Sequence, residues 1–160
     1  MAEARIYAKL KQDHDRHREL IARIEDTSRK DEERRELFEE FRKELQAHAA
    51  AEEESLYAPM LANPELRDEA RHSVSEHKEV DDLLGELVEK DPSSLFWLGK
   101  FKQMKERYLH HIEEEEEEMF PEATERLTKA QEDKAAKVFA DRKPKELERA
   151  ETEKPGDERE

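Results

Sequence analysis

The chain has 160 residues, 47% of them charged and 34% apolar, with a formal net charge of -15 and no cysteine. Such acidity argues against nucleic acid or an anionic membrane as partner, because both attract basic surfaces, and the missing cysteines exclude disulfides, thiolate metal sites and cysteine nucleophiles. No apolar run approaches the ~20 residues of a membrane span, and Met1-Ala2-Glu3-Ala4-Arg5 lacks the apolar core of a signal peptide, so a cytoplasmic protein is expected.

Only three glycines and six prolines occur, and the apolar residues are phased in stripes, which predicts an all-α fold despite the charge. The first helix is predicted over about 3–27, with Tyr7, Leu10, His14, His17, Ile21 and Ile24 in steps of three and four along its inward face. The polar stretch from Asp26 to Asp31 breaks that pattern. A second helix covers about 31–58, with Phe38, Phe41 and Leu45 leading in phase to His48 and Glu52.

Asn63-Pro64 marks the next turn, since the residue before a proline avoids the helical region. The third helix runs over about 65–90, with Val74, His77, Val80, Leu84 and Leu87 inward. Asp91-Pro92-Ser93-Ser94 stops it and offers serines to cap a fourth helix over about 94–120. There Phe101, Met104 and Tyr108 lead to His111 and Glu115, and Pro121 either kinks this helix or begins an extension. From about Thr128 the apolar residues thin to Val138, Phe139 and Leu147. A short helix over 129–140 is predicted, followed by a frayed or disordered end, and no chemistry is assigned to it. The division is therefore a bundle over 1–127 and a charged, partly helical tail over 128–160.

His14 and His77 are 63 residues apart, as are His48 and His111, Glu52 and Glu115, and the apolar pairs Ile21/Leu84, Phe38/Phe101 and Leu56/Met119. The first two helices thus repeat as the second two, and two such hairpins related by a pseudo-twofold axis make an up-down-up-down four-helix bundle. A His and a Glu four apart on a helix reach the same point in space. The repeat brings four histidines and two glutamates to one level of the core, where buried charge must be paired or coordinate a metal. Two half-sites, each a histidine plus a His-Glu clamp, suit two metals better than one; imidazole suits iron, zinc, copper or nickel, carboxylates favour harder ions, and mixed nitrogen and oxygen donors with glutamates able to bridge suggest iron among these. His17 is read as a fifth ligand or as a hydrogen-bond partner of one, the second role fitting better. Tyr57, Tyr108 and Trp97 are read as core aromatics and His110 as a surface residue. One Glu-x-x-His, Glu69 with His72, falls short of the two that ferritin-like di-iron bundles need.

The series Asp13-His14, His48-Ala-Ala-Ala-Glu52-Glu53, Glu76-His77-Lys78-Glu79-Val80 and His111 with Glu115-Glu116 and Phe120-Pro121 resembles the hemerythrin-like, or HHE cation-binding, family over about residues 5–125. The resemblance implies a four-helix bundle holding a non-haem di-iron centre, oxo- or hydroxo-bridged, that binds dioxygen or related small ligands. It implies His14, His48, Glu52, His77, His111 and Glu115 as the metal ligands, with Glu52 and Glu115 bridging. The chain departs from the oxygen-carrying members at Ser73, where they have a second histidine, and their last carboxylate falls at Glu116, which competes with Glu115 for that role.

Three functions follow. One is a module that binds dioxygen or nitric oxide in a pocket lined by residues such as Leu10, Ile21 and Phe41. Another is an enzyme that decomposes peroxide or reduces nitric oxide with a redox partner. The third is an iron-storage or metal-stabilised structural bundle.

Overall fold

The computed structural model of the chain describes residues 3–26 and 30–156, and all regular structure among them is helical. Seven α-helices follow in order: α1 Arg5–Glu25, α2 Asp31–Glu52, α3 Ala58–Ala62, α4 Arg67–Val88, α5 Leu95–Glu114, α6 Phe120–Arg126 and α7 Lys129–Ala150. Two π-helical segments, Glu53–Tyr57 and Glu115–Met119, join α2 to α3 and α5 to α6 without a break. None of the described helices is long and apolar enough to cross a membrane.

The first helix ends at Glu25 because Asp26 turns to an extended conformation, and Thr27 lies outside the described residues. Ser94 caps α5 by accepting a hydrogen bond from the Trp97 amide at 3.1 Å, as the serine cluster led one to expect. Pro121 does not end the helical run, which continues to Arg126. It sits in the first turn of α6, directly after a π-helical segment, and Pro59 stands in the same relation to the other one. A proline supplies no amide to the ladder, and the preceding turn is where the chain takes up the extra residue.

Two apolar cores lie on either side of a polar layer. One contains Ile6, Leu10, Leu56, Tyr57 and Phe120; the other contains Ile21, Phe41, Leu84, Trp97, Phe101 and Tyr108. His14 falls between Leu10 and Leu20 on α1, and His111 between Tyr108 and Met119, so the layer of histidines is sealed from both ends.

From Thr128 to Gly156 the chain is more ordered than expected. A capping box starts α7, with Gln131 N donating to Thr128 Oγ1 at 3.1 Å and Thr128 N donating to Gln131 Oε1 at 2.9 Å. The helix continues through Pro144 to Ala150 and lies along α2, touching α1 and the first π-helical segment as well. Buried Ala135, Ala136 and Phe139 supply the packing that outweighs one lost helical hydrogen bond. Past α7 the chain is tied down by Arg42, whose guanidinium donates to the carbonyls of Ala150 (2.8 Å) and Glu153 (3.2 Å). Gly156 then donates its amide to Asp81 at 2.9 Å, at a φ of 82° that favours glycine. Gly85 permits this approach, because a Cβ there would meet the Pro155 carbonyl at 2.8 Å.

Candidate metal centre

Each His-Glu clamp forms as its spacing predicts. Nε2 of His48 lies 3.6 Å from Glu52 Oε1, and Nε2 of His111 lies 3.4 Å from Glu115 Oε2. The remaining histidines cross to the opposite clamp: His14 Nε2 is 3.1 Å from Glu115 Oε1, and His77 Nε2 is 3.3 Å from Glu52 Oε1. Two groups result, His14-His48-Glu52-Glu115 and Glu52-His77-His111-Glu115, each offering ligand atoms that all lie within 4.8 Å of one another. Glu52 and Glu115 belong to both. All six residues predicted from sequence are therefore brought together.

Whether a cation fits there is decided by atoms that nothing else satisfies. Nε2 of His14, Nε2 of His111, both oxygens of Glu52 and Oε1 of Glu115 are buried without an aligned hydrogen-bond partner, despite the short distances between them. Leaving such groups unpaired costs about 1–3 kcal/mol each, and more for charged ones. These nitrogen and oxygen atoms face one space, which is the arrangement that a cation satisfies by replacing the imidazole protons between them.

Residues 5–123 match the family model of the hemerythrin HHE cation binding domain. The chain belongs to that family. No curated protein and no solved structure matches the chain. The HHE region contains all six residues above and ends before α7.

Behind the HHE histidines stands a complete set of carboxylates. Nδ1 of His14 bonds Glu116 at 2.6 Å, His48 bonds Asp13 at 2.8 Å, His77 bonds Glu53 at 2.9 Å and His111 bonds Glu76 at 2.8 Å. A carboxylate at Nδ1 selects the tautomer that carries its proton there and leaves Nε2 free to coordinate. Asp13 and Glu76 are 63 residues apart, as are Glu53 and Glu116, so this outer layer obeys the same offset as the inner one. Glu115 and Glu116 consequently have different places: the first lies between the imidazoles, the second holds His14 from behind and also receives Arg18 at 3.2 Å.

The electrostatics follow from this crowding. Burial opposes charge on His14, His77 and His111, yet the facing carboxylates outweigh it and hold the three at about 9, about 8 and about 10 respectively. Burial prevails at His48, pushed down to about 4 despite Asp13. It also works against ionisation of both central glutamates, but His111 and His14 keep Glu115 ionised, and its charge then adds to burial in raising Glu52.

Other sequence expectations resolve as follows. His17 enters neither group; it is buried, its Nδ1 lies 2.6 Å from the Tyr108 hydroxyl, and its ring meets that of His48 at 5.2 Å. His110 is exposed and lies beside Glu114 at 3.1 Å. Ser73 is buried with its hydroxyl toward Met119. Leu10 and Phe41 do not line a pocket: both are fully packed in the apolar cores, and Ile21 borders a groove that touches none of the six. Tyr57 is more than a core aromatic, since its hydroxyl donates to Glu115 and lies 3.5 Å from His77 Nε2. Its counterpart 63 residues on is Phe120, which stacks on His14 at 6.2 Å as Tyr57 stacks on His77 at 5.3 Å. That replacement of a phenyl by a phenol in otherwise matching positions was the one signal in the sequence that could have found it.

Proposed function

We propose that the protein binds two iron ions, one between His14 and His48 and the other between His77 and His111. Glu52 and Glu115, which belong to both ligand groups, would be shared between the two ions. The observation that carries this reading is the set of buried Nε2 and carboxylate oxygen atoms with no other partner, each imidazole being held at its Nδ1. Nitrogen and oxygen donors without sulfur favour iron over softer ions.

On the same reading, α1, α2, α4 and α5 form an up-down-up-down four-helix bundle of two hairpins related by a pseudo-twofold axis, with α7 packed on it as an extension. The paired distances on the two sides, 3.1 against 3.3 Å for the crossing His-Glu contacts, support that symmetry.

Bound iron supplies an open coordination position and a change of oxidation state to a small ligand such as dioxygen, nitric oxide or peroxide. The chain's own residues keep the imidazoles aimed, exclude water from the layer, and offer a proton at the Tyr57 hydroxyl. That proton favours a second reading, an enzyme that decomposes peroxide, where a donor protonates the departing oxygen as the O–O bond breaks and the proton is returned in the same cycle, or that reduces nitric oxide with electrons and protons from a redox partner. Exposing the reduced, iron-loaded protein to air and then deoxygenating it separates the two. A visible absorption band that appears and disappears with oxygen supports binding; irreversible oxidation with turnover of peroxide supports the enzyme.

A further inference from the structure

The six residues are not equally sealed. Side-chain exposure is 2% or less for His14, His48, Glu52, His111 and Glu115, and 9% for His77. On the His48 side α7 closes the layer, with Phe139 against the His48 ring at 5.9 Å and Lys143 on Asp13 at 2.5 Å. On the His77 side a cavity of about 250 Å³ opens between α2 and α4 and reaches His77 itself.

The internal repeat explains why the cavity is on that side. Its walls include Leu45, Ala49 and Val80. The residues 63 positions away are Tyr108, Ile112 and His17, each larger than its counterpart. In that other half His17 is hydrogen-bonded to Tyr108, which also forms part of the wall of the α2-α4 cavity; both are buried, and Ile112 is fully enclosed. A groove does lie at the corresponding place, about 410 Å³ and bordered by Arg18, Ile21, Leu109 and Glu116, but it touches none of the six residues. Of these two matched approaches only the α2-α4 cavity reaches a histidine of the layer; a further cavity of about 270 Å³, between Ser73 and Met119, touches Glu115 but no histidine of the six.

We propose that a small uncharged ligand of the dioxygen and nitric oxide class enters along the α2-α4 cavity and meets the centre at the His77-His111 position. The inference rests on the two-metal reading above. An uncharged occupant follows from the apolar wall of Leu45, Val74, Val80 and Leu84 and from the engagement of the charged groups around it. Lys78 pairs with Asp82 at 2.7 Å, Asp81 accepts from the Gly156 amide at 2.9 Å, and Glu53 holds His77 at 2.9 Å. An anion or cation would give up hydration there with little in return.

The test uses the full chain in two states. The metal-free protein is pressurised with xenon, an apolar probe of the cavity, and the iron(II)-loaded protein is mixed with nitric oxide. Val80→Phe and Leu45→Phe narrow the cavity from opposite walls, and either suffices if the other does not fold. The expected result is xenon bound beside Val80 in the unaltered chain and lost in the variant, with nitric oxide association slowed at least tenfold at unchanged iron content. Absence of xenon from the unaltered chain overturns the proposal, as does an unchanged association rate in a variant that has lost xenon. A chain that binds xenon but holds no iron instead overturns the two-metal reading and leaves the cavity standing.

Discussion

Asp13 and Glu76 stand 2.8 Å behind His48 and His111, and the chemistry of the site is set as much by these carboxylates as by the imidazoles they hold. Asp13→Asn and Glu76→Gln should each weaken iron binding by about 10- to 100-fold, since partners of this kind orient the ligand and raise its basicity; competition against a chelator measures it, and an effect below twofold would separate the two layers. The metal-free protein should also show a definite pH trend. His14, His77 and His111 have raised pKa values, so the stability they contribute is complete below their ordinary pKa of 6.5 and is lost as pH rises through about 8 to about 10. Its unfolding midpoint should therefore fall across that interval, while iron loading should release protons and weaken on acidification. Calorimetry in buffers of different ionisation enthalpy reads the proton release. The inner histidines were legible from periodicity because an α-helix repeats at 3.6 residues. Tyr57 and the choice between Glu115 and Glu116 were not, because the π-helical segments begin at Glu53 and Glu115 and alter the turn at just those residues.

At the scale of elements, α7 is the part that sequence reasoning undervalued. Its apolar face is mostly alanine around a single phenylalanine, a weak stripe among charges, and Pro144 reads as a stop. Only tertiary contact with α2, and the Arg42 bonds that fasten the segment after it, show the helix to be part of the folded body. Phe139 is 3% exposed and faces both the first core and the His48 ring. Phe139→Ala should cost about 3–5 kcal/mol in unfolding free energy by denaturant titration; a loss under 1 kcal/mol would mean that α7 is loosely attached. Lys143→Met keeps an apolar stem of similar length but removes the charge from Asp13 and from above the Phe139 ring. It should leave the fold intact and weaken metal binding at the His14-His48 position relative to the His77-His111 position, which a stepwise titration resolves.

For the whole molecule, the polar layer is a cost that two apolar cores carry in the absence of metal. A ligand that binds only the folded state stabilises it by about 4 kcal/mol at a thousandfold excess over its dissociation constant. For a chain of this length, about 2–4 °C per kcal/mol, removal of metal should lower the melting temperature by on the order of 10 °C. The helical class, four of the five long helices among the described residues and the converging histidines and glutamates were readable in advance, because a helical periodicity marks each inward face and a 63-residue offset relates the matching positions. The cavity was not, because empty space depends on the difference between matched residues such as Val80 and His17, which packing alone reveals. Elemental analysis of iron per chain after reconstitution tests the two-metal layer most directly. About two irons are expected for the unaltered chain and none retained in the Glu52→Ala, Glu115→Ala double variant; one iron or fewer in the former, or an unchanged content in the latter, would contradict that layer.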